Sequence, residues 1–178
     1  SSAALNIAFT DNDLPPAVTS VTATTADGAY KEGQAIAITV TFDKAVTVTG
    51  TPQLTLETGS SDAVVDYASG TGTTTLTFNY TIASGQNSDD LDYVATTSLA
   101  LNSGTITETG GTSDVTLTLP APGATNSLGA NKALVIDTTV PTISITATNG
   151  ISAVDDGSSS NAILTVTFTA SEATTDFT

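Results

Sequence analysis

Asp11, Asn12 and Asp13 follow one another directly and are closed off by Leu14-Pro15-Pro16. Two carboxylates and an amide oxygen on successive residues are hard oxygen donors, and a proline-fixed turn would hold them in place. Ca2+ takes roughly six to eight such oxygens, so a linker of this kind supplies only part of a shell. Loops at facing domain ends must add the rest. Glu32, in the first hairpin loop, and the cluster Asp89, Asp90 and Asp92 are candidates. Asp137, within Val135-Ile136-Asp137-Thr138-Thr139-Val140-Pro141, marks a second junction of the same kind, with Asp155 and Asp156 as companions. For every one of these acids the competing reading is turn chemistry, in which Asp and Asn side chains bond nearby backbone amides.

The rest of the composition closes off other chemistries. The chain has no Cys and no His, which removes disulfides, thiol chemistry, zinc sites and His-based proton transfer. It carries 18 acidic residues against 3 lysines, Lys31, Lys44 and Lys132, for a net charge of −15. No phosphate-neutralising surface can be built from that set, so nucleic acid is excluded as a partner. Direct membrane insertion is not expected either, since no apolar run approaches spanning length. Such a charge repels itself unless salt or a bound divalent ion offsets it. Glycosidase chemistry needs two carboxyls flanking a substrate. Asp89, Asp90 and Asp92 instead stand together in one polar loop, and no enzyme is read here. No EF-hand spacing is present, and Gly110-Gly111-Thr112-Ser113-Asp114 only grazes a glycine-rich β-roll repeat.

The elements that must position these acids read as strands throughout. Thr, Ser and Gly fill much of the chain beside a hydrophobic fraction of 39%, and β-branched Thr suits a pleated surface. Ile36, Ile38, Val40 and Phe42 alternate with Ala37, Thr39 and Thr41, the clearest half-buried strand by period two. Leu76, Phe78, Tyr80 and Ile82 repeat the pattern. Further strands are predicted over residues 4–10, 18–25, 46–48, 53–56, 64–67, 115–119 and 133–136, with one beginning at Leu91 and ending near Leu101, and none of the chain is predicted helical. Roughly seven to nine short strands at 8–12-residue spacing are the signature of an antiparallel β-sandwich. Tyr93 is either a tyrosine corner or a plain core tyrosine. Thr-x-Thr runs are read as the solvent side of strands rather than an ice-binding face, and the sequon Asn79-Tyr80-Thr81 as part of a strand.

Phrases recur at an offset of about 125 residues, the scale of one module in a tandem array. Ile38-Thr39-Val40-Thr41-Phe42 returns as Leu164-Thr165-Val166-Thr167-Phe168, and Val18-Thr19-Ser20-Val21-Thr22-Ala23 is echoed by Ile143-Ser144-Ile145-Thr146-Ala147. Three segments follow: residues 1–14 as the last strand and linker of a preceding module, 15–140 as a complete sandwich, and 141–178 as the opening strands of the next. Two opening strands cannot bury an apolar face alone. The strand at residues 4–10 of another copy is one candidate cover.

Residues 22–48, residues 86–104 and the run Leu128-Gly129-Ala130-Asn131-Lys132-Ala133-Leu134-Val135-Ile136-Asp137-Thr138-Thr139-Val140-Pro141 resemble bacterial immunoglobulin-like repeats, which form the extender regions of very large surface adhesins. Asp11-Asn12-Asp13-Leu14-Pro15 is similar to the calcium linker of cadherins and the terminal strand of Calx-β modules, departing where Thr10 stands in place of a further acid. The resemblance implies a secreted, cell-anchored, extracellular repeat protein with Ca2+ between immunoglobulin-like modules, and therefore a mechanical role as a stalk. The alternatives are a glycan- or protein-binding module and a filament subunit assembled by strand exchange.

Overall fold

The computed structural model describes residues 14–111, 113–149 and 164–172. Among these, the strands are β1 (Val18–Ala23), β2 (Gly28–Tyr30), β3 (Ala35–Thr49), β4 (Gln53–Leu56), β5 (Ala63–Ser69), β6 (Thr73–Thr81), β7 (Leu99–Ala100) and β8 (Thr105–Glu108). One helical turn, α1 (Leu128–Asn131), precedes β9 (Leu134–Ile136), and β10 (Ile143–Asn149) and β11 (Leu164–Ala170) close the series. The chain is all-β with an antiparallel curled sheet, consistent with a β-sandwich. It divides into two units, Ser1–Thr138 and Thr139–Thr178.

In the first unit, neighbouring strands run in the order β1-β3-β6-β5-β4-β7, and β8 pairs with β3. Alternation dictates the inside of this sheet. Ile36, Ile38, Val40 and Phe42 of β3 and Leu76, Phe78 and Tyr80 of β6 are all buried on one face, while Thr41 and Thr77 on the other face are half-buried and Thr39 is covered there as well. Their registers match face to face, Ile38 opposite Phe78 and Val40 opposite Leu76. The sheet curls at two irregularities. Between Thr41 and Val46 the register of β3 on β6 shifts, and beyond that bulge β3 turns to β8, pairing Val46 with Glu108 and Thr49 with Thr105. Similarly, β5 pairs with β4 from Ala63 to Asp66 and only then joins β6 at Tyr67 and Ser69.

A second layer is assembled from less regular pairing. Leu56 of β4 bridges Tyr93, Ser88 bridges Ile136 of β9, and β9 pairs in parallel with β2. The core between the layers is closed by Leu54, Leu56, Val65, Leu91, Tyr93, Leu119, Leu128, Leu134 and Ile136. Edges are short or covered, as sheets that avoid edge-to-edge association require. β7 has two residues, and the outer edge of β1 is covered by the loop before α1 and by α1 itself, where Val21 N donates to Asn126 O at 2.9 Å and Asn131 Nδ2 donates to Val21 O at 2.8 Å.

Several expectations differ from what is observed. The strands predicted at 36–42 and 46–48 are one element, because the bulge bends β3 without ending it. Residues 115–119 form no ladder. They are held by an isolated bridge of Thr116 with Ala17 and by Leu119 N donating to Thr96 O at 2.9 Å, and Asp114 just before them bridges Thr107. The strand expected between Leu91 and Leu101 reduces to such bridges plus β7. The loop before β9 contains α1, capped by Ser127, whose Oγ accepts from Ala130 N. The strand predicted at residues 4–10 lies outside the described residues.

In the second unit, β10 and β11 pair antiparallel, with Ile145 opposite Phe168 and Ala147 opposite Val166. Ile143, Ile145, Val166 and Phe168 are 52%, 64%, 43% and 57% exposed, so an apolar face of this pair is open among the described residues.

Candidate functional site

The strand directions place the chain's entry to and exit from the first unit. β3 descends from Ala35, opposite Thr81, to Phe42, opposite Val18. The entering chain is fastened at the lower end. Ala17 O accepts from Asp43 N at 3.0 Å, Asp43 Oδ1 accepts from Ala17 N at 2.8 Å, and Lys44 Nζ donates to Leu14 O at 2.6 Å. Lys44 also reaches Glu108 at 3.4 Å. The leaving chain is fastened at the upper end. Gly33 N donates to Ile82 O at 2.9 Å, Gly85 N donates to Thr138 Oγ1 at 3.0 Å, and Thr138 N donates to Asn87 Oδ1 at 2.8 Å. From Ala35 to Asp43 a strand's rise covers roughly 26 Å. Entry and exit thus lie at opposite ends of the unit.

Against this frame the expected metal donors separate. Asp11, Asn12 and Asp13 lie outside the described residues, as do Asp155 and Asp156. Leu14, the described residue next to that linker, is at the entry end. Glu32 is at the exit end, in the exposed turn between β2 and β3, and is therefore no donor to the entry side of its own unit. Asp137 shares the exit end with it. Asp137 N donates to Tyr30 O at 2.9 Å, and the residue borders a surface hollow of about 400 Å³ with Ala29, Tyr30, Lys31 and Gln34. The cation that lines this hollow is Lys31.

Asp89, Asp90 and Asp92 lie on the segment that runs antiparallel to β9, with Leu91 N donating to Leu134 O at 2.8 Å. Successive residues from Ser88 onward therefore recede from the exit end. Asp89 and Asp90 are exposed and Asp92 is half-buried. Asp92 binds backbone amides: Oδ1 accepts from Tyr93 N and Oδ2 from Gly123 N, both at 2.9 Å. That is the turn chemistry weighed against metal binding. A Cβ added at Gly129 would stand 3.1 Å from Asp92 Oδ2 and 3.4 Å from Asp90 Oδ2, so these two carboxylates converge on one glycine of α1. Among the described residues no group of three or more Asp, Glu, His or Cys side chains could hold a metal ion. A Ca2+ at the exit end would draw its remaining oxygens from backbone, water or residues beyond those described.

Tyr93 is buried, and its hydroxyl donates to Pro120 O at 2.6 Å. The acceptor lies downstream, whereas a tyrosine corner reaches back to backbone a few residues upstream, so Tyr93 is a core tyrosine that tethers the loop after Leu119. Burial raises its hydroxyl pKa well above the ordinary value, and the nearby Asp92 charge adds to this. The Tyr80 hydroxyl, donating to Gln86 Oε1 at 2.9 Å, is pushed up to about 12 by burial.

Asp27 is a functional contact that the sequence does not single out. Its Oδ1 accepts from Lys132 Nζ at 2.7 Å and from Ala133 N at 3.3 Å, tying the start of β2 to the start of β9. The hydrogen bond from Lys132 and then that from Ala133 hold its carboxyl below the usual range. Asn87 was likewise unmarked, yet it receives the exit strand. Asp27 directly precedes Gly28 and Asn87 lies two residues after Gly85, and those glycines are the signal available in the sequence.

No helix among the described residues is long and apolar enough to cross a membrane. No family model matches this chain, no curated protein matches it, and no solved structure matches it.

Proposed function

We propose that the chain is part of a stalk: immunoglobulin-like modules in tandem, extracellular and anchored at a cell surface, with Ca2+ stiffening the junctions between neighbours. The observation that carries this reading is the axial path of the chain, fastened at Ala17 and Asp43 on entry and at Asn87 and Thr138 on exit, at opposite ends of one unit. A module threaded end to end adds its full length to a row of modules. One that enters and leaves at the same end does not.

Two further observations support it. The recurring sequence phrases fold alike: β1 pairs antiparallel with β3, and their counterparts β10 and β11 pair antiparallel as well. The second pairing is slid by one side-chain period, Ile145 opposite Phe168 where Val21 is opposite Val40, which keeps the apolar residues on one face. In addition, Glu32 and Asp137 share the exit end in a chain of net charge −15. Carboxylates from that end and from a following module would repel when the two meet, and a divalent ion would relieve that repulsion while tying loops together. Calcium titration by calorimetry tests the metal. Binding that weakens in Asp137→Asn and in the double variant Asp11→Asn with Asp13→Asn is expected, and no binding heat at millimolar calcium would remove calcium from the reading.

A filament subunit is the second reading, favoured by the exposed apolar face of β10 and β11. In that reading a strand of another copy covers the face.

A further inference from the structure

The chain leaves the first unit along β9, and the bonds that hold this strand lie across its line of exit. Lys132 Nζ meets Asp27 Oδ1 at 2.7 Å, and Ala133 O accepts from Gly28 N at 3.0 Å. Leu134 O accepts from Leu91 N at 2.8 Å. Ile136 exchanges two bonds with Ser88 at 2.7 and 2.8 Å, and Asp137 N donates to Tyr30 O at 2.9 Å. The last of the set is Thr138 N to Asn87 Oδ1 at 2.8 Å. Leu134 and Ile136 are buried between these flanks.

Direction decides how such a seam responds to load. β2 runs parallel to β9, Gly28 opposite Leu134 and Tyr30 opposite Ile136. Residues 88–91 flank it antiparallel on the other side. The opposite anchorage of the unit, at Leu14 and Ala17, is at the far end of the strand axis. Tension along that axis pushes β9 past both neighbours, so its bonds are strained together and must fail together. Tension applied between two points at the exit end would open the same bonds one after another.

We propose that the β9 seam is a tension clamp: when the unit is pulled between Leu14 and Thr138, the bonds of β9 to β2 and to residues 88–91 are loaded jointly in shear, with the Lys132–Asp27 pair closing their upstream end. The purpose of the clamp rests on the stalk reading, but its geometry does not involve calcium.

The absence of native Cys makes engineered thiols unique attachment points for single-molecule force spectroscopy on the full chain. Leu14→Cys with Val140→Cys loads the seam axially, while Ser84→Cys with Val140→Cys peels it. All three positions are exposed. Forced unfolding reads the unfolding barrier directly. The expected result, in chelator, is a severalfold higher unfolding force in the axial pair than in the peeling pair, with Asp27→Asn lowering the force in the axial pair alone. Released contour length matching the residues between the attachment points certifies a folded unit in each trace. Equal forces in the two geometries would overturn the clamp, and an equal drop from Asp27→Asn in both would remove the ion pair from it. Either outcome leaves the calcium reading to be decided by titration and scattering.

Discussion

Asp27 gains its ion pair only in the folded unit, and Lys132 is the first cause of its lowered pKa. A folded pKa below the unfolded one contributes stability above the ordinary aspartate value near 3.8, and that contribution is lost as pH falls through the folded value. Acid unfolding followed by circular dichroism should therefore show a shallower loss of stability below about pH 4 in Asp27→Asn than in the parent, with the two curves differing by a constant at neutral pH. Tyr93 offers a second residue-scale test, because its buried hydroxyl is bonded to Pro120 O. Tyr93→Phe leaves that carbonyl unpaired and should cost about 1–3 kcal/mol in denaturant melts. A cost near zero would show that water replaces the hydroxyl.

At the scale of elements, the alternating runs were legible because period two sorts residues by face. Ile36, Ile38, Val40, Phe42, Leu76, Phe78 and Tyr80 are buried where alternation put them. Elements held by single bridges were not legible. Val115, Leu117 and Leu119 alternate as a strand does, yet the segment is held by an isolated bridge at Thr116 and a single bond from Leu119 N to Thr96 O rather than a ladder, and no local pattern reveals that its neighbours stop short. β3 was split in two because Asp43-Lys44-Ala45 looks like a break and is instead a bulge. Of the candidate site, the acids were legible as donors but not as partners: Asp92 turned out to bind the amides of Tyr93 and Gly123, a fact set by a loop some thirty residues downstream. The pair β10 and β11 carries its own prediction, since Ile143, Ile145, Val166 and Phe168 present an apolar face that is exposed among the described residues. Sedimentation of the full chain should show association that rises with concentration and is reduced in Ile145→Thr with Phe168→Thr. A monomer throughout would count against the filament reading.

The whole molecule joins three facts: a chain that threads the first unit from end to end, an excess of carboxylates with few lysines to offset it, and phrases that recur in a second strand pair. In the first unit, two of the three lysines are spent on latches, Lys44 near the entry and Lys132 on the exit strand. With 18 acidic residues against 3 lysines, the chain cannot neutralise its own carboxylates, and the proposed role of calcium rests on that excess. Small-angle scattering of the full chain, with calcium and then with chelator at one ionic strength, tests that directly. Withdrawal of calcium is expected to shorten the maximum dimension and broaden the cross-section, with both restored on its return. An identical scattering profile in the two conditions would contradict it.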